Sequence, residues 1–251
     1  MVSVPSSTIE LRAPFSGVLV PIDQVPDPVF AGRLAGDGVA IAPESRTLLA
    51  PCAGTVVHVH EARHALTLRT ADGLDVLLHV GLDTVALGGR GFRALAAVGD
   101  EVAAGTPLLD VDLDFVAAHA RSLLTQVVVT TPERVARLRV RAGRVEAGRD
   151  VVAEIEVRAG VDPPPPLPSH AAPAAVRVVR VPAGLHVRPA AAVALAARRA
   201  RGRVVVVCGP READARSVVS LLALDAGPGA VLRIAGWGDD AVAAVAQEGA
   251  V

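Results

Sequence analysis

Short apolar runs rich in β-branched residues fill the first 158 positions of the chain. They are "GVLVPI", "GVAIAP", "GTVVHVH", "ALTLRT", "DVLLHVG", "TPLLDVD", "QVVVTT" and "AEIEV", with glycine, proline or aspartate between them at close spacing. Such a rhythm predicts an all-β sandwich or barrel. One stretch keeps a helical period. "DFVAAHARSLL" predicts a helix over 114–124, with a stripe from Phe115 through Ala118 and Ser122 and with His119 on the other face, an ordinary surface histidine.

After residue 175 the pattern changes. "AVRVVRVP" alternates as a strand, "RPAAAVALAARRA" is helical, and "RVVVVCG" is a strand. "READARS" holds a short strand, "VVSLLALDA" a short helix, "AVLRIAGWG" a strand, and "DDAVAAVAQEGAV" a last helix capped by Asp239 or Asp240. The order βαββαβα predicts an α+β unit. Arg198, Arg199 and Arg201 stand where they complement the negative end of the first helix. The last helix is short for such a layer, so the natural chain is expected to continue beyond Val251.

Between the two patterns lies "AGVDPPPPLPSHAAPAA". Four prolines in a row favour polyproline II, and the stretch reads as a semi-rigid spacer that leaves His170 solvated. The expected organisation is therefore a first domain over 1–158, a linker over 159–174 and a second domain over 175–251.

Composition narrows the function classes. Of 251 residues 51% are hydrophobic and only 2% aromatic, so the cores must be built from Ala, Val and Leu. All 25 basic residues are arginine, and tyrosine is absent, which reads as the bias of a GC-rich genome. The net charge of −1 and the lack of an arginine-rich tail argue against nucleic-acid binding. No apolar run approaches the ~20 residues of a membrane span, and the N-terminus lacks a signal-peptide pattern. Cys52 and Cys208 have no partner motif and read as small buried hydrophobes. The expected compartment is the cytoplasm.

The histidines carry the candidate chemistry. His58 and His60 share one strand face by the period of two. They read as exposed strand-face residues, with a zinc site as the rival, although no cysteine or carboxylate stands at a ligand spacing; no metal is expected. His79 interrupts the apolar run "VLLHVG", which shelters its ring. Gly81 allows close backbone approach, and Asp83 offers an acceptor to fix an imidazole tautomer. By composition alone His79 reads equally well as a satisfied core histidine. His186 in "AGLHVRPAA" stands at a helix entrance, where backbone N–H groups and the dipole disfavour imidazolium and favour an anion. A neutral imidazole there is a nucleophile toward phosphorus. Arg188 would add a donor, and Pro189 sits in the first turn, where a missing N–H costs nothing. The plain alternative is a histidine acting as a poor N-cap.

"AGLHVRPAA", followed by "ADARSVVSLLALDAGPGAVLRIAGWGDD", resembles HPr, the histidine phosphocarrier of the bacterial sugar phosphotransferase system, across 175–251. The resemblance implies an open-faced β-sandwich, with His186 phosphorylated at Nδ1 and Arg188 supporting the phosphoryl group. It also implies a regulatory phosphosite at Ser217 and an apolar docking patch of Val218, Val219 and Leu222. "LRAPFSGVLVPIDQVPDPVFAGRLAGDGVAIAP", "LLAPCAGTVVHVHEARHALTLRTADGLDVLLHVGLDTVALGGRGF" and "GDEVAAGTPLLDVDLDFV" resemble enzyme IIA of the glucose class. That implies His79 phosphorylated at Nε2, His64 steadying the phosphoryl group, and Asp83 in the same motif. The family often carries a threonine where this chain has Ala62.

Together the two resemblances imply a phosphorelay. Enzyme I, itself a candidate continuation of the chain, uses phosphoenolpyruvate to load His186. The group passes to His79 and on to enzyme IIB and IIC of a sugar permease, with no cofactor beyond the transient phosphohistidines. Regulated transporters or enzymes are further expected partners. The alternatives are a regulatory protein whose domains bind transporters and enzymes according to phosphorylation state, and a lipoyl or biotinyl carrier domain, suggested by the rhythm of "VGDEVAAGTPLLDVD". That class attaches its cofactor to a lysine, and this sequence has none.

Overall fold

The β-branched runs of the first segment all form strands in the computed structural model, which describes residues 7–158, 173–182 and 184–237. The chain divides into two compact units that part between 161 and 162. The first unit begins with β1 (Thr8–Arg12), β2 (Gly17–Pro21), β3 (Asp37–Pro43), β4 (Thr47–Leu49) and β5 (Gly54–Val59). It continues with β6 (Ala65–Arg69), β7 (Asp75–His79), β8 (Phe92–Ala94), β9 (Glu101–Val102) and β10 (Pro107–Val111). β11 (Thr125–Val129), β12 (Val135–Val140), β13 (Gly143–Val145) and β14 (Val151–Val157) complete it, together with the helices α1 (Pro28–Ala31) and α2 (Leu113–His119).

An eight-stranded sheet runs β13-β2-β3-β11-β7-β6-β5-β9, accompanied by the three-stranded sheets β1-β14-β12 and β4-β10-β8. The unit is thus an all-β sheet structure, as the alternation predicts. Its core is aliphatic, with Leu11, Ile41, Leu48, Leu68, Leu78 and Leu108 fully buried around Phe15. β7 is buried at every position. A strand covered on both faces reads as a continuous apolar run, and His79 is its last residue.

Six strands were not visible as runs. β4, β8 and β9 span two or three residues, too few to show a period. In β1 ("TIELR") and β12 ("VARLRV") charged residues occupy the outer face, and Arg139 pairs with Glu156 across the ladder. β13 is a three-residue edge strand. α1 was also missed: Asp27 caps it through the Val29 N–H at 3.0 Å, and Pro28 opens its first turn.

The expected helix over 114–124 is shorter and earlier. Asp112 caps α2 by accepting from the Phe115 N–H, and the helix ends at His119. Ser122 then bridges to Leu82 as a strand would, so it does not continue a helical stripe. Val116 is the buried residue of α2. His119 is exposed, as expected, but shares a face with Phe115: the rings stack at 4.3 Å, the geometry of residues four apart.

The second unit holds β15 (Ala175–Val181), α3 (Val187–Arg199), β16 (Arg203–Cys208), β17 (Arg211–Asp214), α4 (Val218–Leu222) and β18 (Ala230–Trp237). The strands form one antiparallel sheet in the order β15-β18-β16-β17. The first six elements of βαββαβα thus occur in the expected order. The last helix, the proline-rich spacer and His170 lie outside the described residues. α3 buries Ala190, Ala191, Ala194 and Ala197 with Val187 and Val193, a face narrow enough for close packing. Cys52 is buried and Cys208 half-buried; burial pushes the Cys52 thiol up to about 11. Among the described residues no helix is long and apolar enough to cross a membrane.

Arg198 and Arg199 stand in the last turn of α3, as expected, and a further arginine from outside the helix serves its end. Arg216 donates to the carbonyls of Ala200 at 2.6 Å, Gly202 at 2.8 Å and Arg201 at 3.1 Å. Arg198 donates back to the Arg216 carbonyl at 2.9 Å. Distant in sequence, Arg216 is brought to the helix end only by the turn after β17. Replacing it by alanine should destabilise the second unit by about 1–2 kcal/mol, since its guanidinium is only partly screened from water. Trp237, the one tryptophan, lies in β18 and reports on that unit alone. Urea unfolding followed by its fluorescence should show an earlier midpoint in Arg216→Ala, and an unchanged midpoint would mean that water serves those carbonyls equally well.

Candidate active site

Sheet register assembles the first site. β7 ends at His79, opposite Ala65 of β6 on one side and Gln126 of β11 on the other. His64 immediately precedes β6, and its carbonyl accepts the Val80 N–H at 2.8 Å. The His64 and His79 rings therefore meet edge to face, 5.0 Å apart and at 84°. Phe30 of α1 covers His79 with its ring centroid at 5.2 Å. His79 Nδ1 and Gln126 Oε1 lie 3.1 Å apart.

The turn after His79 is fixed by its own residues. Gly81 has φ +73°, and a Cβ there would stand 2.7 Å from Thr84 Cγ2 and 2.8 Å from the Ser122 carbonyl oxygen, so glycine is required. Thr84 Oγ1 donates to the Val80 carbonyl at 2.8 Å. Asp83 takes a left-handed φ of 61° and lies 4.0 Å from Arg121. The side chain facing His79 Nδ1 is Gln126, which carried no motif in the sequence. Only the pairing of β7 with β11 reveals it.

His58 departs from expectation. It is buried, not exposed, and the ladder between β5 and β6 shifts register between Val56 and His58. A bulge of this kind re-aims a side chain. His60 is half-buried and its Nδ1 accepts the Ala62 N–H at 3.0 Å. At position 62 the chain thus supplies a backbone donor to His60. The rings run in a row: His64 to His60 at 4.4 Å, then His60 to His58 at 6.3 Å. Among the described residues no group of three or more histidine, cysteine, aspartate or glutamate side chains is arranged to hold a metal ion.

Burial pushes the His79 ring down to about 4. The Gly81 backbone and Gln126 oppose that shift by hydrogen bonding, the charge of His60 adds to it, and Asp27 opposes it. At neutral pH the ring is uncharged and has a lone pair to give.

The second site is a helix entrance. His186 is the N-cap of α3, extended at φ −89° and ψ −174°, with no side-chain capping bond. Its carbonyl accepts from Ala190 at 3.1 Å. Leu185 and Val187 beside it are buried, whereas its own ring and Arg188 are half-buried. Gly184, at φ +82°, packs 3.0 Å from the Ala226 carbonyl oxygen as measured from an added Cβ, and the Leu185 N–H bonds that same oxygen at 2.7 Å. The loop before α3 is thereby pinned, and the ring is presented at the helix end.

Ser217 is the N-cap of α4, its hydroxyl accepting from Ser220 N–H at 3.1 Å. Val218, Val219 and Leu222, expected as an apolar docking patch, are all buried. α4 is a five-residue helix packed on α3 and β17, which turns its apolar residues inward.

Residues 9–135 match the family described as "phosphoenolpyruvate-dependent sugar phosphotransferase system, EIIA 1". The chain belongs to this family. Residues 170–248 match "PTS HPr component phosphorylation site". The chain is therefore an EIIA domain of the glucose type followed by an HPr domain, both components of a phosphotransferase system. It is 41% identical over 151 residues to the N-acetylglucosamine-specific EIICBA component of Escherichia coli, covering 60% of this chain and 23% of that protein. It is 38% identical over 141 residues to the glucose-specific EIIA component of Borreliella burgdorferi, covering 56% of this chain and 75% of that one. Glucose permease IIA from Mycoplasma capricolum has the same fold over 59% of this chain and 96% of its own, at 37% identity and a TM-score of 0.55. The chain spans about a quarter of the length of the EIICBA components that it matches.

The depressed proton affinity of His79 has a stability consequence. The unfolded ring titrates at 6.5 and the folded one at about 4. Between these values the unfolded state binds more protons, so the contribution is full above pH 6.5 and is lost as the pH falls toward 4. The loss should be on the order of 3 kcal/mol for the first unit. NMR titration should show flat His79 ring shifts from pH 8 to about 5.5, and a midpoint near 6.5 would contradict the burial of the neutral ring.

Proposed function

We propose that this chain relays a phosphoryl group from His186 of its HPr domain to His79 of its EIIA domain, on behalf of sugar uptake. The supporting observation is the pairing, in one chain, of a neutral buried imidazole beside a second histidine ring with a histidine at a helix entrance. Enzyme I, charged by phosphoenolpyruvate, is the donor to His186 Nδ1. In transfer the N–P bond at His186 breaks as a new one forms to His79 Nε2, in line, while the proton on His79 Nδ1 stays in place. The α3 N–H groups and Arg188 stabilise the phosphoryl oxygens before transfer. His64 donates to them after it, and Asp83 holds the turn beneath the ring. No nucleotide and no metal takes part.

The domains are 1–158 and 175–251, joined by the linker 159–174. A tether of this length holds the two histidines at an effective concentration of about a millimolar. The onward acceptor is an EIIB component of an EIIC permease, and the sugar is glucose or N-acetylglucosamine, as the names of the related proteins suggest. The relay operates in the cytoplasm, with Ser217 as a regulatory phosphorylation site.

With enzyme I and labelled phosphoenolpyruvate, acid-labile, base-stable label should enter His186 and then His79. His186→Ala should abolish labelling of the chain; unchanged labelling would refute the relay order. His64→Gln should leave His79 labelled but slow onward transfer to EIIB by about 100-fold, the loss expected for one charge-stabilising donor. A normal onward rate would remove His64 from the mechanism.

A further inference from the structure

Gln126 lies directly across the ladder from His79, on the strand that borders β7 opposite His64. Its side chain is fully buried, so both ends of its amide must be satisfied within the fold. The amide nitrogen donates to the Leu124 carbonyl, and the amide oxygen faces His79 Nδ1 at 3.1 Å. The reverse orientation would press the amide oxygen against the Leu124 carbonyl oxygen, two acceptors in a short contact. The oxygen therefore points at the ring, and an oxygen can only accept.

We infer that Gln126 positions the phosphoryl acceptor: its amide oxygen holds a proton on His79 Nδ1 and so keeps the lone pair, and then the phosphoryl group, on Nε2. The inference rests on the reading of His79 as phosphoryl carrier and adds the residue that selects the reacting nitrogen. A neutral imidazole in the other tautomer carries its proton on Nε2 and cannot attack phosphorus there. A group that bonds the second ring nitrogen sets the tautomer and the ring orientation.

The same contact governs release. When Nε2 forms its bond to phosphorus, the Nδ1 proton remains and the ring becomes formally cationic beside the phosphoryl anion. With the Nδ1 proton kept, the ring departs as neutral imidazole, a better leaving group than an imidazolate anion, so the retained proton keeps the phosphoryl group transferable. The acceptor is suited to both states because it is uncharged. It favours the Nδ1 proton without drawing a second proton to Nε2 before phosphoryl arrives, as a buried carboxylate would. The Gly81 backbone also bonds the ring and persists in any variant of position 126, so the loss of Gln126 should be partial.

The test uses the whole chain with ¹⁵N-labelled histidine. At pH 7.5 the wild-type His79 ring should show a protonated Nδ1 and an unprotonated Nε2. In Gln126→Met, nearly isosteric, the second tautomer should become visible and phosphoryl acceptance from the phosphorylated HPr domain should slow by about tenfold, the low end for losing a group that orients a reacting histidine. In Gln126→Glu the ring should hold two protons to a higher pH, and acceptance should recover only as the pH is raised. A wild-type proton on Nε2 would overturn the inference, even if neither variant folds. So would unchanged tautomer and rate in a folded Gln126→Met. If instead the wild type shows the expected tautomer but takes no phosphoryl group on His79, the relay reading fails and the tautomer assignment stands.

Discussion

A histidine ring taken out of water must stay neutral, and a neutral ring has one N–H and one lone pair that both need a defined place. That constraint at His79 organises the first domain. The ring is at the end of a strand buried along its whole length, so solvent cannot settle which nitrogen keeps the proton. The two neighbouring strands settle it, one bringing Gln126 and the other leading out of His64. The turn at Gly81 and the cap at Asp27 then close the surroundings with backbone and with Phe30. Desolvation costs stability at low pH, and the same desolvation leaves a nucleophile ready at neutral pH.

The second site solves a similar problem by other means. His186 is half-buried and needs no hydrophobic hollow. Its environment is the positive end of a 13-residue helix, which favours negative charge in front of it. One histidine is thus prepared by burial and the other by a field.

Much of this was legible because the deciding signals are local. The alternation of "GTVVHVH" and "ALTLRT" marks strands within a few residues, and "GLHVRPAA" places a ring, an arginine and a proline at the N-cap and first turn of one helix. The errors have one source: each depended on a neighbour far away in sequence. His58 is covered at a bulge in a ladder. Ser122 left the helix for a bridge to Leu82. Contacts just as remote in sequence pack α4 onto α3 and β17 and bring Arg216 to join Arg198 and Arg199 at the end of α3.

The sequence by itself determined the strand-rich and α+β halves and singled out His64, His79 and His186, because periodicity and motif spacing are properties of consecutive residues. Only the tertiary structure decided which side chains touch those histidines. Gln126 stands 47 positions from His79, and nothing in a one-dimensional pattern pairs them. Strand register does, since hydrogen-bonded ladders fix which residues lie opposite one another across the sheet.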